Sequence, residues 1–378
     1  MSDKCSEKNC KNILYITNIT LRNFRNYQDS SFEFEQEGSL IVGKNGVGKT
    51  NLLEAISYFT YGKSIMNQHD IQIINHEKSN FFLKSVFCRN NLNLEHVNSS
   101  DFILHKNDTE LKVYYDSSKK KVIHIDRVPL KKLSDLYQHL QIVYSGPDDL
   151  CNIFSIPAKR RNFIDMAISK IYPIYIDYQR RFKGALLQRN NLLKSDFSLR
   201  EKESWDTIFC EEAKNVINYR LLFFEKYKYY FFNSYKMIVD KDEAVDIFLK
   251  LNFYEQDFVP KMMSLLNENQ SKEKRYQTSL YGPHRDDFYI TINQKNAIYY
   301  ASQGQKRSIV LALKLALASM ISDINNTLPI LIFDDTLAEL DIQRCRNLLY
   351  NLNGKHQLFI ASPKIDRYME IKLPILKL

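Results

Sequence analysis

The sequence predicts an α/β fold split along the chain: a head whose two halves lie towards opposite ends, an antiparallel β subdomain on the first half, and an inserted, mainly helical lobe. Three observations carry this. Near the N-terminus an apolar strand, "SLIV" (39–42), runs straight into a glycine-rich loop and then a helical stretch. Far downstream a second buried-strand pattern, "PILIF" (329–333), ends on Asp334 and Asp335. Between them, residues 130–240 are poor in glycine and read as long helices.

Residues 1–12 are charged and polar and read as a flexible tail. Residues 13–130 form the first half of the head. "ILYITNITL" (13–21) and the alternating "SFEFE" (31–35) are strands, and "NLLEAISYF" carries a helical apolar stripe at Leu52, Leu53, Ile56 and Phe59. From about 80 to 126, the runs "NFFLKSVF", "DFILH", "LKVYY" and "KVIHI" are separated by Asn, Asp and Ser and suggest antiparallel hairpins. Residues 131–245 are the helical lobe, in which Trp205, Ile208, Phe209, Ala213, Val216 and Ile217 follow a 3.6-residue period. No heptad persists, so a coiled coil is not expected.

Residues 246–378 return to α/β. "DIFLKLNFY" (246–254) alternates, and "DFYITI" and "NAIYYA" flank a turn at 293–296. A helix is expected from about 304 to 321, and another after Asp341 as its cap, stopping at Gly354. "QLFIAS" (357–362) reads as the last strand of the sheet.

Lys and Arg number 53 against 44 Asp and Glu, a formal charge of +9, which suits a polyanionic partner such as nucleic acid. The chain is also rich in Asn, Ile, Tyr and Phe, a bias that A+T-rich codons produce along with Lys, so composition accounts for the charge equally well. The cysteines Cys5, Cys10, Cys88, Cys151, Cys210 and Cys345 are scattered without metal spacing and read as reduced thiols. With no signal-peptide pattern and no run approaching the ~18 apolar residues of a membrane span, a soluble cytoplasmic protein with no membrane partner is expected.

"GKNGVGKT", Gly43, Lys44, Asn45, Gly46, Val47, Gly48, Lys49 and Thr50, matches G-x-x-x-x-G-K-[ST] in full. Glycines let backbone N–H groups wrap phosphates, Lys49 reaches the β- and γ-phosphates, and the Thr50 hydroxyl is a ligand for Mg²⁺. Three of the chain's ten glycines fall in these eight residues, which sets the loop apart from ordinary turns. The motif alone does not choose among kinases, GTPases and ATPases.

The pair Asp334–Asp335 supplies the second half of a site, at a strand's C-terminal end, where α/β sheets bind ligands. Asp334 is the expected metal carboxylate and Asp335 the base that orients and deprotonates an attacking water. Lys49 and Asp334 are 285 positions apart (334 minus 49), so one nucleotide fold is interrupted by a long insertion.

Between these motifs lies "SQGQ", Ser302 to Gln305, directly before an apolar helix. The order P-loop, insertion, "SQGQ", "LIFDD", "AELD" resembles the ABC-type ATPase heads of the SMC and RecF group. That resemblance implies an ABC-ATPase-like head in which a signature motif (here Ser302, Gly304 and Gln305) caps the γ-phosphate of ATP held by the other subunit of a dimer. The plainer reading of Ser302 is a helix N-cap, and the same geometry serves both.

Further blocks are similar to the RecF family: "LRNFRNY" (21–27), "GKNGVGKTNLLEAI" (43–56), "GPDDL" with "PAKRRNFID" (157–165), "LLQRNNLL" (186–193) and "SLYGPHRDD" (279–287). The resemblance implies a slow, DNA-dependent ATPase that dimerises on ATP and Mg²⁺ and binds single-stranded or gapped duplex DNA. With RecO and RecR it would help load RecA, in repair, replication and the SOS response. Ala338 stands where the family more often has Ser, and "FIASPK" replaces a Thr-rich stretch, which weakens Ser362 as a γ-phosphate sensor. Gln141 is the candidate Q-loop glutamine.

Lys159, Arg160, Arg161, Arg180 and Arg181 are candidate phosphate contacts for DNA, although a solvated helix face or an internal ion pair is the plainer reading of each. Arg25 is a candidate neighbour of the nucleotide, and Arg285 and Asp286 are candidates for a structural or interdomain role. The competing functional reading is an SMC-like head serving as a structural DNA tether. The absence of coiled-coil heptads counts against it.

Overall fold

A computed structural model describes residues 12–66, 68–91, 108–132, 135–239, 243–365, 368 and 373–378. The expected tail and the strand "DFILH" (101–105) lie outside them, Asn12 excepted. The chain divides into two compact units. One is built from the chain up to Asp149, a short return at 234–240 and everything from Leu311 onward; the other from 150–233 and 241–310. These limits differ from the expected 13–130, 131–245 and 246–378. Residues 246–310, expected to belong to the C-terminal half of the head, cluster with the helices.

The first unit contains two sheets. A five-stranded parallel sheet has the order Ile375–Lys377, Gly38–Val42, Leu358–Ser362, Ile330–Asp334, Ile142–Ser145. "QLFIAS" is therefore not the last strand but the middle one: it pairs with Gly38–Val42 on one side and Ile330–Asp334 on the other. That arrangement brings the N-terminal loop strand and the acidic strand within one strand of each other.

The second sheet is built on the long strand Asn12–Phe24, which pairs antiparallel with both Tyr27–Glu33 and Asn80–Asn91. It continues antiparallel through Thr109–Asp116 and Lys121–Ile125, the hairpins the Asn- and Ser-rich breaks suggest. Helix Lys49–Tyr61 was expected to bury one stripe. It is instead buried on nearly every side, Glu54, Ser57 and Thr60 included, because residues of both sheets pack into one apolar cluster around it. Its ends are glycines with left-handed backbone, Gly48 and Gly62, where a side chain would be strained.

The second unit is mainly helical: Pro157–Ile171, Tyr175–Leu192, the 40-residue Leu199–Ile238 up to Asn233, Phe258–Glu268 and Gln270–Tyr276. Pro157 opens the first, as proline can at the first helical position. Ser198 and Glu201 form a reciprocal capping box at the start of the longest. On that helix Phe209, Ala213, Val216 and Ile217 are buried, whereas Ile208 is 43% exposed. The same buried face begins at Asp206 and continues through Arg220, Phe223, Tyr227 and Phe231.

It carries charge because each charge is paired. Arg189 bonds Asp206 and Glu273, both at 2.6 Å, and Arg220 bonds Asp165 and Asp286, both at 2.8 Å. Removing one member of such a pair costs about 3–5 kcal/mol, because its partner is left buried and unpaired. Asp286 is thereby held within this unit by a buried ion pair.

A three-stranded antiparallel sheet, Lys295–Asn296, Asp287–Ile292 and Val245–Lys250, completes this unit. "NAIYYA" follows the expected turn at 293–296, and only its first residue, Asn296, pairs across it. The next four residues form a helical turn, Ala297–Tyr300, because the Asn296 side chain accepts from the Ile298 N–H at 2.9 Å and caps it. Helix Gln303–Asn325 is long and apolar enough to cross a membrane, which corrects the expectation that no run is, but most of that stretch is buried within the protein.

Candidate nucleotide-binding site

The loop Gly43–Thr50 joins the parallel strand Gly38–Val42 to helix Lys49–Tyr61. Gly46 and Gly48 hold φ of +84° and +118°, values open to glycine and strained for other residues. A Cβ on Gly48 would lie 2.6 Å from Asn26 Nδ2. Lys49 Nζ donates to the carbonyls of Gly43 (2.8 Å) and Lys44 (3.1 Å), which spans the ammonium across the mouth of the loop. No side chain caps the helix N-terminus, so its first N–H groups and the positive end of its dipole face the loop.

The segment before the loop braces it. Asn26 Nδ2 donates to the Val47 carbonyl and the Tyr27 hydroxyl to the Gly48 carbonyl, each at 3.1 Å, while Asn51 Nδ2 donates to Asn26 Oδ1 at 2.8 Å. Arg25 is turned inward. Its guanidinium holds the buried Glu54 carboxylate bidentately at 2.7 and 2.9 Å, so its first role is to neutralise a charge beneath the loop.

The two distant motifs meet directly. Thr50 Oγ1 donates to Asp334 Oδ1 at 3.1 Å across 284 positions of sequence. Asp334 is 1% exposed. Burial pushes its carboxyl up, against the hydrogen bonds from Thr50 and Tyr144, and the neighbouring Asp335 charge raises it further.

Asp335 has a left-handed backbone, φ 55°, which turns the chain sharply out of the strand. Its Oδ1 and Thr336 Oγ1 are buried without a hydrogen-bond partner. Orphaned acceptors beside a hydroxyl–carboxylate pair fit a site that takes a hydrated divalent cation and a nucleophilic water.

Other sequence candidates fall elsewhere. Ser302, Gly304 and Gln305 belong to the second unit, on exposed to half-buried surface. The Ser302 hydroxyl accepts from the Gln305 N–H at 3.2 Å, Gln305 Oε1 accepts from the Ser302 N–H at 2.9 Å, and Gln305 Nε2 reaches Glu243 at 3.1 Å. This is a capping box at the start of helix Gln303–Asn325.

Gln141 is not a Q-loop residue. It precedes strand Ile142–Ser145, which runs parallel to Ile330–Asp334 with Ile142 opposite Ile330, so it lies at the far end of the sheet from Asp334. Ser362 spends its hydroxyl on Lys364, donating to the carbonyl at 2.9 Å.

Arg160, a candidate for DNA, is 5% exposed and clamps Asp287 at 2.8 and 2.6 Å, an internal ion pair. Arg161 donates to the Asp286 carbonyl. Lys159, Arg180 and Arg181 are exposed; Arg180 pairs with Asp177, and Arg181 with Glu212. Sequence reasoning missed Asn26, Tyr27 and Tyr144. The first two sit in "LRNFRNY", a block noted by resemblance, whereas nothing local marks Tyr144.

The family model described as RecF/RecN/SMC N terminal domain matches residues 15–372. The DNA replication and repair protein RecF of Clostridium botulinum is 31% identical over 95% of this chain and 96% of its own length. The chain belongs to the RecF family. RecF of Leptospira interrogans is 33% identical, over 88% and 87% of the two chains.

A solved structure of the recombination mediator protein RecF-ATPrS in the RecFOR pathway superposes with TM-score 0.84 at 26% identity, covering 98% of this chain and 97% of that one. Its RecF-ATP counterpart gives 0.82 at 27%, over 93% and 92%. An SMC head bound to a domain of ScpA shares the fold at TM-score 0.52 and 16% identity, over 94% and 91%. The expected mixed α/β head with parallel and antiparallel sheets and a helical region is the fold these proteins have.

Proposed function

We propose that this RecF-family chain is an ATP-operated DNA clamp acting in repair and replication. The observation that carries it is the Thr50–Asp334 hydrogen bond, which unites the phosphate loop and the acidic strand end in one unit. ATP would lie along Gly43–Thr50, its phosphates met by backbone N–H groups and Lys49. Mg²⁺ would be held by Thr50 and Asp334; when bound, it offsets charge on the phosphates. Asp335 would take the proton of the attacking water, and its unpartnered Oδ1 suits that task.

The exposed Ser302–Gly304 turn supports the remaining step, in which this segment of a second copy caps the γ-phosphate. Two ATP molecules would then hold two chains around single-stranded or gapped duplex DNA, mostly through phosphate contacts, and slow hydrolysis would release them. Solved relatives described as recombination mediators in the RecFOR pathway support a role in that pathway; beside RecO and RecR the chain would help load RecA and through it serve the SOS response, in the cytoplasm.

Light scattering tests the assembly. ATP with Mg²⁺ is expected to double the mass in solution, and ADP to leave it unchanged. A chain that stays monomeric with saturating ATP, Mg²⁺ and DNA contradicts the proposal.

A further inference from the structure

Asp334 is gripped from two sides, and only one of the grips belongs to a motif. Thr50 Oγ1 donates to Oδ1, while the Tyr144 hydroxyl donates to Oδ2 at 2.9 Å. Tyr144 lies on the neighbouring parallel strand, opposite Ile332, two residues short of Asp334. Gly146 makes room for its ring. A Cβ on Gly146 would lie 2.4 Å from the Tyr144 hydroxyl oxygen and 2.5 Å from the ring, so glycine there is what allows the ring to lie across the turn.

The turn is itself anchored. The Gly146 N–H donates to Asp149 Oδ2 at 2.9 Å, and Asp149 Oδ1 pairs with Lys314 Nζ at 2.7 Å. Asp149 is 8% exposed and Lys314 4%, so that pair is well shielded from solvent screening.

We propose that Tyr144 is a positioning residue for the metal carboxylate. By donating to Oδ2 it fixes the rotation of Asp334 and presents Oδ1 beside Thr50. The proposal rests on the nucleotide reading above. The physical reason is the demand of Mg²⁺ for near-ideal octahedral geometry, which a freely rotating carboxylate meets poorly. Hydrogen bonds to metal ligands from the next layer of residues are typically worth about 10- to 100-fold in metal affinity.

Two substitutions test it from different directions. Tyr144→Phe removes the hydroxyl and keeps the ring. Gly146→Ala keeps the hydroxyl and pushes the ring away. Binding of a fluorescent ATP analogue is measured as Mg²⁺ is titrated, and again in EDTA, with thermal melting as a check on folding.

Both variants are expected to raise the half-saturating Mg²⁺ concentration roughly 10-fold or more while leaving EDTA affinity within about twofold of the parent. A merely structural role for Tyr144 would weaken binding equally with and without metal, and that result overturns the proposal. So does an unchanged Mg²⁺ titration in a folded Tyr144→Phe protein. Failure of the parent chain to bind the analogue at all would instead sink the nucleotide reading beneath it.

Discussion

Lys49→Ala is expected to lower ATP affinity by roughly 10- to 100-fold and to abolish turnover. The ammonium is the charge that this loop brings to the phosphates, and a hydrogen bond to a charged group is worth about 1.5–3 kcal/mol, or one to two decades in affinity. Lys49 also ties the carbonyls of Gly43 and Lys44 together, so its loss loosens the loop as well as removing the charge. Equilibrium titration with a fluorescent nucleotide measures the first effect, and phosphate release with DNA present the second. A folded Lys49→Ala chain that binds ATP as tightly as the parent contradicts the assignment of Gly43–Thr50 as the phosphate cradle.

Asp335→Asn is expected to separate binding from hydrolysis. Asparagine has nearly the size of aspartate and tolerates the left-handed backbone found here, φ 55°, so the turn is retained. What is lost is the capacity to accept a proton, typically worth about 10²- to 10⁴-fold in rate. ATP affinity should stay within about threefold of the parent, and the ATP-held dimer should persist on DNA long after the parent has released it. If Asp335→Asn hydrolyses ATP at the parental rate, the base lies elsewhere. If it fails to bind ATP, Asp335 is a ligand instead.

The parts of the site that were legible in the sequence are those with a local pattern. A strand, a glycine loop and a helix stand side by side at 38–61, and an apolar strand ending in two aspartates stands at 330–335. Each reports its chemistry without reference to the rest of the chain. Their meeting was inferable from the pairing of motifs, and the Thr50–Asp334 contact bears it out.

Tyr144 could not be read in this way. An apolar run reveals a strand, but not which strand will be its neighbour, and only the register beside Ile330–Asp334 brings this hydroxyl to the carboxylate. Arg160 shows the converse. In "PAKRRN" a basic run looks the same whether it faces solvent or a half-buried Asp287. The Lys49–Tyr61 helix looked amphipathic because Glu54, Ser57 and Thr60 are polar, but each found an internal partner: Arg25, the Leu53 carbonyl and the Leu140 carbonyl. In "NAIYYA" the side chain of Asn296 decides that a helical turn follows the 293–296 turn, a choice no apolar pattern reports.

The account depends most on sites shared between two copies, and a mixing experiment tests that directly. Lys49→Ala and Ser302→Arg chains are each expected to be inactive alone. In a mixed dimer one composite site carries both lesions and the other carries neither. Partial recovery of DNA-stimulated ATP hydrolysis on mixing is the predicted result, whereas no recovery in demonstrated heterodimers would contradict it.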